Sequence, residues 1–430
     1  MNYFHRVTTI VGITVALSGL NSASAQLEPT QQPRLEAQAE KVSPSIQLPA
    51  LTGPYPVGST FYHLVDHRRN DIYDSTSTKR ELMIYVWYPS HALPGETIPA
   101  PYQDEAVVKE IRRAYAKSLG LKADTFVKLL CHSVQTHTTA QAPFATVQTR
   151  YPLLIFSHGF GVPPKLDTSL LEQLASHGYV VVSLSHTYDV PTLFPDGQVI
   201  KQSSRFHFRS SNQAEIKPIF DEAVDVRSRD VSFVLDELTS LNISDPQGIL
   251  THHLDLDRVG ILGHSLGGAT AAETMLLDRR FKAGINLDGI MYGTAFAQGT
   301  KDGLDRPFML VNHEGQTLDP ALKSLQMSFY EKLKANGYHL IIKGTKHMTF
   351  TDLPLIFPLL KANSDLKPQQ AQDAFGAIDP HRAEMIVTAY ALAFFDKYLN
   401  KQKEPLLSGA SADYPEVQFD SRNGTPTALP

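Results

Sequence analysis

The chain has 430 residues, of which 42% are apolar and 19% charged, with a formal net charge of −5 and one cysteine, Cys131. That length and apolar share supply a sizeable core and exclude global disorder. Mild acidity without a long basic block argues against a nucleic-acid partner, a lone cysteine excludes an intrachain disulfide, and no paired Cys/His spacing supports structural zinc.

At the N-terminus, Met1 to Arg6 is short and mildly basic, Thr8 to Leu20 is largely apolar, and Ser22-Ala23-Ser24-Ala25 is small. This is the order of a secretory signal peptide over residues 1–25, and the apolar run is too short to span a bilayer. The expectation is cleavage near Ala25 and an exported, periplasmic or secreted protein; an uncleaved anchor is the weaker reading. Residues 26–52, rich in Gln, Pro, Ser and Ala, read as a flexible leader.

Leu82 to Tyr88 then reads as a strand. Residues 100–149 interrupt the strand rhythm with a helical stretch containing Lys128, Leu129 and Leu130, taken as an excursion on one catalytic domain spanning 53–402. Leu153–Phe156 is a strand, Leu166–His177 a helix and Tyr179–Ser183 a strand; Ala223–Leu241 follows as a long helix. Further strands are expected at Val259–Leu262, Ala283–Leu287, Phe308–Val311 and His339–Ile342. Continuous apolar strands separated by helical patterns predict an α/β fold: a mainly parallel sheet covered by helices on both faces. The last helix starts at an Asp379 N-cap with Pro380 at its first position, and its apolar face is expected through Met385, Ala389, Leu392, Phe395 and Leu399. Residues 403–430 read as a polar, partly ordered tail.

The most informative stretch is Gly263-His264-Ser265-Leu266-Gly267-Gly268, which follows an apolar strand and precedes Ala269, Ala271 and Ala272. Three fixed positions are a weak signal alone. A strand before and a small-residue helix after make them a nucleophile elbow, with Ser265 lifted clear of the sheet on a tight turn. A serine hydroxyl needs a base and an orienting acid, and these follow it at the ends of later strands. His347, just past the last strand, fits the base. For the acid, Asp288 and Glu314 both close strands; Gly289 after Asp288 favours a sharp turn, but position alone does not separate them. The oxyanion donors are expected to be the amides of Leu266 and Phe160, the latter in Ser157-His158-Gly159-Phe160-Gly161. His158 lies upstream of the serine and is expected to brace that loop.

Together with Gly53-Pro-Tyr-Pro-Val-Gly58, Val86-Trp-Tyr-Pro89, Leu174-Ala-Ser-His-Gly-Tyr179 and Asn286-Leu-Asp-Gly289, these segments resemble the secreted platelet-activating factor acetylhydrolase family of α/β-hydrolases, over about residues 53–402. The resemblance implies Ser265 as nucleophile, His347 as base and Asp288 as acid, with Phe160 and Leu266 as oxyanion donors. It also implies cofactor-independent, calcium-independent removal of short or oxidised sn-2 acyl chains from phospholipids. Ile290 and Leu266 depart from the aromatic residues usual at those positions, near the expected acyl pocket. A broad carboxylesterase, lipase or polyester hydrolase is the rival activity, and a catalytically silent lipid-binding module the non-enzymatic one.

Other features carry two readings each. The apolar run 350–360 is either a lipid-touching rim or a buried loop, and Arg205-Phe-His-Phe-Arg209 either meets a phosphate headgroup or is an exposed loop. Cys131, His132 and His137, and His252, His253, Asp255 and Asp257, lack the spacing of a strong metal site.

Overall fold

The computed structural model describes residues 45–423, apart from 75, 77, 92–97, 207–211, 300–302, 317–319 and 364–366. The expected signal segment, most of the leader, the last three residues of the 205–209 run and residues 424–430 lie outside the described residues.

The central sheet contains ten strands: β1 (Val57–Asn70), β2 (Lys79–Pro89), β3 (Thr138–Ala140), β4 (Tyr151–Ser157), β5 (Val180–Ser185), β6 (Leu254–His264), β7 (Phe281–Leu287), β8 (Phe308–His313), β9 (Gly337–Ile342) and β10 (Val417–Arg422). Their order across the sheet is β10-β9-β8-β7-β6-β4-β5-β2-β1-β3. The run from β9 to β5 is parallel throughout, whereas β10, β2 and β1 add antiparallel neighbours towards the edges. After β5 the chain crosses back to lay β6 on the far side of β4. Strand order therefore reverses between β4 and β6, where open parallel sheets of this kind hold their ligands.

The helices are α1 (Glu105–Ser118), α2 (Ala123–His132), α3 (Thr168–Ser176), α4 (Gln213–Ile243), α5 (Leu266–Leu277), α6 (Thr294–Gly299), α7 (Pro320–Glu331), α8 (Leu353–Lys361), α9 (Pro368–Phe375) and α10 (Pro380–Tyr398). Val231, Val234 and Leu238 of α4, Ala271, Ala272 and Met275 of α5 and Phe329 of α7 cover one face of the sheet. Leu171 and Leu174 of α3 with Ile386, Tyr390 and Phe394 of α10 cover the other. Burial on both sides explains why β4 and β5 are apolar without alternation.

Several expectations need correcting. In α10, capped by Asp379 accepting from the Arg382 amide, Phe395 and Leu399 are buried as expected, but Met385 is 44% exposed and the N-terminal half buries Ile386, Val387 and Tyr390 instead. Two apolar rows at spacings of three and four coexist in this helix, and only packing selects between them. The helix expected from Ala223 starts ten residues earlier, with Pro218 inside it. The polar tail contributes β10, paired antiparallel to β9; with only Val417 and Phe419 apolar, its pattern is too thin to read as a strand. The end of the leader is also placed, since Ile46 and Gln47 pair with Val134 and Gln135.

The excursion packs its α1 and α2 side chains, among them Val108, Ile111, Phe126 and Leu130, onto Met348, Leu353, Ile356 and Leu360. The apolar run 350–360 thus forms most of a buried helix, α8, beneath the excursion. Three buried carboxyls lie at this junction. Asp352 accepts from the Tyr102 hydroxyl (3.1 Å) and the Ser169 amide (3.2 Å), and Glu172 accepts from the His137 amide (2.9 Å). Neither oxygen of Asp167 has a hydrogen-bond partner among the described residues. Burial pushes Asp352 and Glu172 each up to about 8, and burial beside Asp352 holds Asp167 well above the carboxylate range.

Unfolded carboxyls titrate near 4, so between about pH 4 and 8 the native state binds more protons than the unfolded one. The stability these groups contribute is complete below that window and lost as pH rises through about 8. Asp352→Asn, which cannot ionise, should therefore melt a few degrees above the wild type at pH 9 and within about one degree of it at pH 5, as measured by thermal denaturation.

Candidate active site

Ser265 is the single residue between β6 and α5, held at φ 55°, ψ −121°. Non-glycine residues rarely adopt this conformation, and here the surroundings enforce it. The Ser265 amide donates to Leu287 O (2.8 Å). A Cβ at Gly267 would stand 1.8 Å from Ser157 O, and one at Gly263 would stand 2.3 Å from the Gly267 carbonyl. The two glycines are thus required by the close approach of α5 to β4 and β6.

The structure brings three sequence-predicted side chains together. Ser265 Oγ lies 3.0 Å from His347 Nε2, and His347 Nδ1 lies 2.6 Å from Asp288 Oδ2. Asp288 directly follows β7 at φ 56°, and its amide donates to Val311 O (2.7 Å). The turn is shaped by Asn286, whose Oδ1 accepts from the Gly289 amide (2.6 Å) and whose Nδ2 donates to Gly289 O (3.0 Å). Glu314, the rival acid, is exposed and accepts from the Gly344 amide (2.8 Å). It braces the loop before His347 without appearing among the ring's partners.

Asp288 is buried, and burial alone would raise its pKa; hydrogen bonds and charge from His313 and His347 outweigh that and hold it well below the usual carboxylate range. Its Oδ1 also accepts from the His313 amide (2.9 Å) and Gln316 Nε2 (3.1 Å). His264 packs against His347 with ring centroids 4.8 Å apart and planes tilted by 37°. Its Nε2 faces His347 O at 3.0 Å and must donate there, since a carbonyl only accepts. Burial, reinforced by the neighbouring His347, pushes His264 down to about 3, so the ring is neutral.

The loop after β4 is tied from several sides. His158 Nδ1 donates to Gly159 O (2.7 Å) and its Nε2 accepts from the His186 amide (3.3 Å). Tyr115 of the excursion donates to Gly161 O (3.1 Å). Arg227, fully buried on α4, donates through Nη1 to His158 O (2.6 Å) and through Nε to Asp189 Oδ2 (2.8 Å). Phe160 and Leu266 pack in one apolar cluster with Phe206, Val224 and Tyr292, against which Ile290 also rests. Phe160 meets Phe206 and Phe220 edge to face, at 5.2 and 5.3 Å.

Sequence reasoning missed Arg227, Asp189, His264, His313 and Gln316. Of these, only His264 lies within a motif, and the others reach the site from separate elements. Among the described residues, one group of three or more His, Cys, Asp or Glu has its ligand atoms within 4.8 Å of one another: Asp288, His313 and His347. Its ring nitrogens are directed at the carboxylate as hydrogen-bond donors. Neither the Cys131 set nor the His252 set converges in that way; His137 Nε2, for example, is bonded to Leu48 O (2.8 Å).

A mainly parallel sheet bearing a serine on a strained strand-to-helix turn, with histidine and aspartate after later strands, defines an α/β-hydrolase. The family description "Platelet-activating factor acetylhydrolase, isoform II" matches residues 40–406. The chain belongs to that family and is an ester hydrolase. A probable 1-alkyl-2-acetylglycerophosphocholine esterase of Arthroderma benhamiae is 26% identical over 396 residues, covering 89% of this chain and 95% of the relative. The platelet-activating factor acetylhydrolase of Cavia porcellus is 26% identical over 375 residues, covering 83% and 79%. Among solved structures, a ferulic acid esterase from Streptomyces cinnamoneus superimposes with a TM-score of 0.71 at 33% identity, covering 87% of this chain and 98% of that one.

Replacing Arg227 by Met would leave Asp189 buried without its guanidinium. Breaking a buried pair in this way costs about 3–5 kcal/mol, so urea denaturation should show that loss, accompanied by reduced turnover as the loop holding Phe160 loosens.

Proposed function

We propose that this hydrolase removes short or oxidised acyl chains from the sn-2 position of phospholipids through an acyl-enzyme on Ser265. The observation that carries the mechanism is the continuous relay from Ser265 Oγ to His347 Nε2 (3.0 Å) and from His347 Nδ1 to Asp288 Oδ2 (2.6 Å). Ser265 Oγ attacks the ester carbonyl as His347 Nε2 takes its proton. His347 then returns a proton to the leaving alcohol, and in the second half it activates the water that releases the acid. Asp288, acceptor-only when ionised, keeps the hydrogen on Nδ1 and favours the imidazolium that forms. The amides of Phe160 and Leu266 are assigned to the oxyanion, each worth about 10²–10³ in rate. No cofactor takes part in this scheme. The phospholipid substrate rests on the family and on the activities for which the two relatives are named.

A second reading is favoured by one finding. The ferulic acid esterase shares more identity with this chain, 33%, than either phospholipid-acting relative does. A broad carboxylesterase acting on simple or aromatic esters is therefore the alternative activity. Residues 1–25 are proposed to direct export, with the protein acting in the periplasm or outside the cell, at a lipid surface where its substrate is a phospholipid. Among the described residues, no helix is long and apolar enough to cross a membrane.

Ser265→Ala should lower turnover by about 10⁶ and abolish labelling by a fluorophosphonate; activity above a few per cent would remove Ser265 from the role. On the wild type, kcat/KM for a short-chain sn-2 phospholipid should exceed that for p-nitrophenyl butyrate and methyl ferulate. The reverse order selects the carboxylesterase reading.

A further inference from the structure

The site contains an imidazole that the relay does not use. His313, the last residue of β8, directs Nδ1 at both oxygens of Asp288, 2.9 Å from Oδ1 and 2.7 Å from Oδ2. His347 Nδ1 meets the same Oδ2 at 2.6 Å. An ionised carboxylate only accepts hydrogen bonds, so both rings carry their hydrogen on Nδ1. We infer that His313 is a positioning residue that shares the Asp288 carboxylate with His347, fixing its orientation and moderating how strongly it stabilises the His347 imidazolium. This rests on the Ser265–His347–Asp288 reading above and extends it.

The geometry isolates the ring's contribution. Asp288 Oδ1 keeps the His313 main-chain amide (2.9 Å) and Gln316 Nε2 (3.1 Å) whatever side chain stands at 313. Oδ2, the oxygen facing His347, has the two rings as its side-chain partners. A donor on a carboxylate spreads its charge and weakens its pull on a neighbouring cation. Removing the 313 ring leaves Oδ2 to His347 alone, so His347 holds its second proton to higher pH. The other titratable groups nearby are neutral His264, packed at a tilt against His347, and Glu314, bonded to the Gly344 amide. Neither touches the shared oxygen.

The test is the pH profile of kcat/KM for wild type, His313→Leu and His313→Asn on one soluble ester. Leu removes the donor at similar bulk, whereas the Asn side-chain nitrogen stands close to where Nδ1 was. In the Leu variant the acid limb should move about half to one pH unit higher, with kcat at the optimum reduced by less than about tenfold and KM within about twofold. Asn should return the limb to its wild-type position. A histidine that only fills space would lower stability or rate and leave the limb in place, which overturns the inference. Should the Leu variant fail to fold, proton NMR of ¹⁵N-histidine-labelled wild type decides. Low-field Nδ1–H resonances assigned to both His313 and His347, besides that of His186 on Asp230 (3.0 Å), support the shared carboxylate, and the absence of the His313 resonance overturns it. Fluorophosphonate labelling of the same wild-type sample separates the failures. Absent labelling sinks the Ser265 reading and this one with it, whereas normal labelling with an immobile limb sinks the role of His313 alone.

Discussion

A carboxylate kept ionised out of reach of water is the constraint around which this site is built. Burying Asp288 without partners would cost several kcal/mol or drive it to protonate. It escapes both because two imidazoles, a main-chain amide and Gln316 all donate to it. Those donors come from the end of β8, the loop beyond it and the loop beyond β9. Satisfying one charge therefore fixes the relative positions of three consecutive strand ends, with Ser265 completing the set from β6.

The site also concentrates conformational strain. Ser265 and Asp288 both hold positive φ, at a cost of order 1–3 kcal/mol each. Packing opposes relaxation: α5 presses onto the β4 loop at Gly267, and the Ser265 amide is tied to Leu287 O. From outside, the excursion covers α8 and reaches the loop after β4 through Tyr115. It does so over a cluster of carboxyls whose burial raises their pKa and favours the neutral form. The cover that protects the site thus carries its own dependence on pH, opposite in sign to that of Asp288.

Much of this was legible in the chain because local patterns report local structure. The G-x-S-x-G turn can be read within six residues, although what excludes a side chain at Gly267 is Ser157 O on β4, and each strand of the parallel run announces itself by continuous apolar character. The choice between Asp288 and Glu314 was not local. Both close a strand, Gly289 gave Asp288 a slight advantage, and the family resemblance decided for Asp288 before the structure placed Glu314 on the Gly344 amide. The exposed Met385 of α10 and the strand at 417–422 were misread because a pattern permits an element without saying what it packs against. His313 gave no signal, since its partner lies 25 residues earlier on the neighbouring strand.

By itself the sequence determined the elbow, the order of the parallel strands, and which serine and histidine could form the chemistry. These depend on spacing and on residue size along a few consecutive positions. Tertiary structure decided which residues of the N-terminal half of α10 are buried, that α8 lies beneath the excursion, that Arg227 reaches the loop after β4, and that two histidines meet on one carboxylate. Each of these depends on strand register and helix placement between segments tens of residues apart, where many arrangements satisfy the same pattern and only the packed core selects one.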